Sequence, residues 1–96
     1  MTTTEEAFAK FEIWSKSQTF LKLTVIDQNK EPQILRGQII SVDERLSLIC
    51  FSVNKSQFPR LDLSGAAFRA GKHVVEAQRG EDFQMFEELP VSLVGK

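Results

Sequence analysis

Tyrosine is absent from this chain, and cysteine, tryptophan and histidine occur once each. A single cysteine excludes an intrachain disulfide. One His and one Cys at no ligand spacing leave a zinc site without its donors. A Ser-His-Asp arrangement would have to use His73, in Lys72-His73-Val74, and no Gly-x-Ser-x-Gly elbow presents a nucleophile. The five glycines form neither a phosphate-binding loop nor a dinucleotide fingerprint. Paired acids such as Asp43-Glu44 fall in a turn, where no burial separates their pKa values. No catalytic residue, metal site or cofactor is expected, and the chain reads as a non-enzyme.

Charge of one sign is also lacking. Twelve Lys and Arg stand against 13 Asp and Glu, for a net charge of −1. Strong non-specific nucleic-acid binders are usually basic, because phosphate neutralisation dominates their affinity. The exception is local: Lys55, Arg60, Arg69, Lys72 and Arg79 face only Asp62 and Glu76 between positions 55 and 79. Such a run is most simply a solvated surface. No apolar run approaches the ~20 residues that span a bilayer. The N-terminus has no basic segment followed by an apolar one. A soluble, cytoplasmic protein without a membrane partner is expected.

What is present suits one folded domain over residues 1–96. Hydrophobic residues make up 42% and charged residues 26%, ordinary for a small globular chain. Eight Phe supply most of the aromatic content and read as core. Thr2-Thr3-Thr4-Glu5-Glu6 reads as a helix start, since a threonine followed three residues later by Glu fits a capping box. Ala7, Phe8, Phe11 and Trp14 then recur at helical spacing. A helix is expected over about 4–16, docked by that face. Strands follow at Phe20–Ile26, with Leu21, Leu23 and Val25 on one side, and at Ile34–Val42, Leu46–Val53, Val74–Gln78 and Phe83–Glu87. Gly37 inside the second strand signals a bend. Cys50, in Leu48-Ile49-Cys50-Phe51, is expected to be a buried thiol. Arg60–Phe68 fits no single pattern, and Pro90 ends the last strand. The expected fold is mainly β: an N-terminal helix followed by a small, five-stranded, strongly bent antiparallel barrel over about 19–90, with a loose tail over 91–96.

Two segments carry a resemblance. Gly37-Gln38-Ile39-Ile40-Ser41-Val42-Asp43-Glu44-Arg45-Leu46-Ser47-Leu48-Ile49 resembles the first motif of the Sm and Lsm family, which includes Hfq. That motif is a bent strand opening with Gly, then hydrophobic-Asp, a short loop and a second apolar strand. Ala77-Gln78-Arg79-Gly80-Glu81-Asp82-Phe83-Gln84-Met85-Phe86 resembles the second motif, an Arg-Gly turn between two strands with hydrophobics two and more residues on. The leading helix also fits. The resemblance implies a homo-oligomeric ring that passes single-stranded RNA over the two motif loops. It places Asp43 as the pin of the first loop and Arg45 at the base-stacking position. Ser47 stands where Asn often reads a base, and Arg79-Gly80 form the second loop. A guanidinium plane can stack on a base.

Two alternatives stand beside it. In one, the same barrel is a protein-interaction or assembly module with no nucleic-acid role. In the other, Asp62-Leu63-Ser64-Gly65-Ala66-Ala67 resembles part of the PilZ motif, which binds a cyclic dinucleotide. Ala67 fills that motif's second glycine position, and no pair of arginines four apart precedes it.

Overall fold

The computed structural model describes residues 2–27, 29–54 and 56–89. The expected tail, 91–96, and Pro90 lie outside the described residues. Among the described residues, no helix is long and apolar enough to cross a membrane.

The helix α1 spans Thr4–Ser17. Its capping box is complete: the Thr3 hydroxyl accepts from the Glu6 amide at 3.1 Å, and the Glu6 carboxylate accepts from the Thr3 amide at 3.0 Å. Gln18 ends the helix in a left-handed conformation, with φ 54°. Its buried face is Ala7, Phe8, Phe11 and Trp14, the stripe expected from the spacing.

Seven strands follow: β1 Leu21–Ile26, β2 Gln33–Asp43, β3 Leu48–Ser52, β4 Arg60–Asp62, β5 Ala67–Ala70, β6 Val74–Arg79 and β7 Asp82–Glu88. They form one antiparallel sheet in the order β4-β3-β2-β1-β7-β6-β5. Along each strand alternate residues turn to the helix side, as the two-residue period demands. Leu21 and Leu23 of β1, Ile39 of β2, Ile49 and Phe51 of β3, Val75 and Ala77 of β6 and Phe86 of β7 are buried there.

The expected five-stranded barrel is corrected in two respects. The segment 60–70 contributes two short strands, β4 and β5, which raises the count to seven. The sheet also stays open between them. It curls far enough for Arg79 on β6 to reach Asp62 on β4, and α1 touches both β2 and β5. The edge of β5 is already engaged, however. Thr2 bridges Phe68, and the Ala70 amide donates to the Thr2 hydroxyl at 2.8 Å. A strand end covered in this way cannot pair with β4.

A register shift in β2 falls between Ile39 and Ser41, just beyond Gly37. Ile40 is the extra residue and points outward, 48% exposed. Gly37 itself admits close approach of β3 at Ser52. One local expectation changes. Cys50 is only partly buried: its neighbours Ile49 and Phe51 take the inward positions, so alternation turns its thiol outward towards the Phe58 carbonyl, 3.9 Å away.

Candidate functional site

The two motif turns come to one rim of the sheet. In the β2–β3 turn the Asp43 carboxylate accepts from the Leu46 amide at 3.2 Å, the local pin that an Asp at this position provides. Ser47 closes the turn with φ 54°, a conformation unusual for a residue with a side chain. Its carbonyl is held at 2.8 Å by the Leu63 amide. Arg45 is exposed at the tip. The β6–β7 hairpin turns through Gly80 and Glu81, between the paired residues Arg79 and Asp82. Gly80 has φ 61°, so glycine is needed at the first central position of this tight hairpin.

The turn between β4 and β5 joins these two. Asp62 accepts from the Ser64 amide at 3.0 Å, and this bond holds the Asp62 carboxyl below its ordinary range, with Arg79 adding to the effect. The Arg79 guanidinium donates to the carbonyls of Asp62 at 3.4 Å and Ser64 at 3.3 Å, and lies 3.7 Å from the Asp62 carboxylate. The structure therefore brings Asp43, Arg45 and Ser47 to the same rim as Arg79 and Gly80, with residues 62–64 between them. It also gives Arg79 a task within the fold, clasping the open seam. Gly37 lies away from this rim, paired with Leu21.

Beneath Arg79 is a cavity of about 30 Å³, lined by Asp62, Leu63, Ala66, Ala77, Asp82 and Gln84. The buried side-chain amide oxygen of Gln84 has no hydrogen-bond partner among the described residues. The space and the polar lining suit one bound water. Gln84 falls within the second motif segment without a role assigned there; its inward register beside Val25 and Ala77 places it here. The rim as a whole holds Asp43, Glu44, Asp62, Glu81 and Asp82 against Arg45 and Arg79. Such a balance attracts a phosphate backbone poorly.

At the other end of the sheet, the Trp14 indole N–H donates to Glu88 at 2.8 Å, and His73 lies 3.2 Å from the second Glu88 oxygen. The Trp14 bond, with His73 adding to it, holds the Glu88 carboxyl below the usual range. His73 is exposed and tied to this anchor of the helix.

The face of the sheet turned away from α1 departs from the usual polar pattern. Registered pairing sets Ile26 beside Phe83, and Thr24 between Ile34 and Met85. Ile34 is 52% and Ile26 38% exposed. Arg36, Lys22 and Glu87 form the next row across the same strands. Comparison of the chain with protein-family models, with curated proteins and with solved structures gives no significant match.

Proposed function

We propose that this domain is a non-enzymatic assembly module that associates with itself. The observation that carries the reading is an apolar patch over two adjacent rows of the outer sheet face, Ile26 beside Phe83 and Thr24 between Ile34 and Met85, with Ile26 and Ile34 exposed and Phe83 and Met85 partly exposed, where a solvent-facing sheet would be polar. Contiguous exposed apolar surface marks interaction sites. The sheet edges favour a face contact over the strand-to-strand ring that the Sm resemblance implies. β5 is covered by Thr2, and β4 is three residues long. Absolute molar mass by light scattering, near physiological salt, tests the reading. A discrete multiple of the 10.9 kDa chain mass is expected. A monomer across the concentration range would remove it.

A second reading, weak binding of single-stranded RNA at the rim, is favoured by the meeting of the two motif turns. Arg45 would stack on a base, with Ser47 and Arg79 beside it. In that case Arg45→Ala with Arg79→Ala lowers RNA affinity at fixed salt by about tenfold or more, the scale of a lost base-stacking contact. Unchanged affinity in fluorescence anisotropy titrations removes RNA from the function. Arg45→Ala alone separates binding from the fold, because Arg79 also holds the seam.

A further inference from the structure

Within the assembly reading, on which this inference rests, the outer face specifies its own partner. We propose that two copies of this chain pack outer face to outer face about a two-fold axis running along the β1–β7 seam. Each Lys22 then lies over Glu87 of the other copy, and each Ile26 over Phe83.

The geometry follows from the register. β1 and β7 are adjacent and antiparallel, with Lys22 opposite Glu87, Thr24 opposite Met85 and Ile26 opposite Phe83. All six residues point away from the helix. A two-fold axis parallel to the strands exchanges the two sides of the seam and preserves height along it. Every β1 and β7 residue therefore meets the copy of its own cross-strand neighbour, while one strand further out β2 lies over β6, with Ile34 at Glu76 and Arg36 at Val74. The cation Lys22 meets the anion Glu87 twice, and the apolar pair meets itself twice. This is the self-complementarity that an isologous interface requires. The in-plane axis at right angles to the strands would reverse height and set Lys22 over Ile26, burying a charge on apolar surface. On the two central strands, β1 and β7, charge complementarity thus selects the first axis. Sheets packed face to face keep their strands within about 30° of each other, which this arrangement allows. Lys22 and Glu87 are also available: the ion pairs among the described residues are His73–Glu88 and Arg79–Asp62. Apolar area supplies the attraction in this interface, and the paired charges fix partner and register.

Mixing of charge variants tests the interface. Lys22→Glu sets acid over acid across the axis, and Glu87→Lys sets base over base. Each variant alone should dimerise at least ~10-fold more weakly than the wild type, since like charges would face each other. An equimolar mixture should recover the dimer. The acid introduced at position 22 of one chain then meets the base introduced at position 87 of the other, and the native Lys22 meets the native Glu87. Damage to the fold of a single chain is not repaired by mixing, and circular dichroism melts of each variant check the fold directly. A wild-type oligomer indifferent to both substitutions, or single variants that weaken but fail to recover on mixing, would overturn this interface and leave the assembly reading standing. A wild-type monomer at all concentrations would overturn both.

Discussion

Phe11→Ala should lower the unfolding free energy by about 3–5 kcal/mol, the range for removing a buried phenyl ring from a packed core. Phe11 is fully buried and joins the helix to the sheet. Its ring centroid lies 4.9 Å from that of Phe86 on β7 and 6.4 Å from that of Phe68 on β5. Within the helix it meets Phe8 at 5.2 Å and Trp14 at 6.1 Å. All four pairs are edge-on or tilted, a geometry that adds to simple burial. The loss would be felt beyond the cavity. α1 has 14 residues, near the length at which isolated helices are marginal, so it persists through this contact. A domain of this size has only about 5–15 kcal/mol in total. At ~4–8 °C per kcal/mol, the melting temperature should fall by at least ~12 °C. Phe58, 48% exposed, is the matched control: Phe58→Ala should stay within about 0.5 kcal/mol. Urea unfolding followed by far-ultraviolet circular dichroism measures both. Equal midpoints for the two variants would mean that the helix does not dock as described.

The contrast between Phe11 and Phe58 also shows how far the sequence was readable. Signals written in neighbouring residues came through. Thr3 and Glu6 lie three apart and make the cap they encode. Phe8, Phe11 and Trp14 share a face because helical spacing leaves them no other. Leu21 and Leu23 alternate inward, and Asp43 bonds an amide three residues on. Features that depend on distant chain segments did not come through. β4 and β5 hold three and four residues, too few to show a period, and exist by pairing with β3 and β6. The open seam depends on Thr2 reaching Phe68, a separation no local pattern reports. Cys50 lies in an apolar run, yet the inward positions belong to Ile49 and Phe51. The candidate rim was legible in part. Its residues carried motif signals, but the clasp between Arg79 and residues 62–64 crosses the sheet. The apolar patch of the outer face exists only in the register: Ile26 and its partner Phe83 are 57 positions apart in the chain and each reads alone as an ordinary strand residue.

Gly37→Ala should be the most damaging single-methyl addition among the glycines of the described sheet, at about 2 kcal/mol net. Gly37 is buried in β2 beside the end of β3. A Cβ at this position would overlap the Ser52 carbonyl oxygen outright. It would also lie 2.9 Å from the Ser52 carbonyl carbon and 3.1 Å from the Phe51 ring. The obstacle is backbone, so no rotamer change relieves it, and Phe51 is fully buried with nowhere to retreat. Overpacking of this kind costs about 1–3 kcal/mol and sometimes more. Alanine also restricts the unfolded chain, a stabilising effect of about 0.4–1 kcal/mol at a compatible backbone angle. The steric term therefore wins. Gly65→Ala separates the two causes, because Gly65 has φ 76° and an added methyl there would meet nothing within 4 Å. Its cost should be the left-handed backbone alone, about 1–2 kcal/mol. Thermal melts should rank Gly37→Ala below Gly65→Ala, and both below the wild type. The reverse order would mean that β3 does not cross β2 closely at Ser52. Gly37 would then be a simple bend, as its place in the first motif suggested.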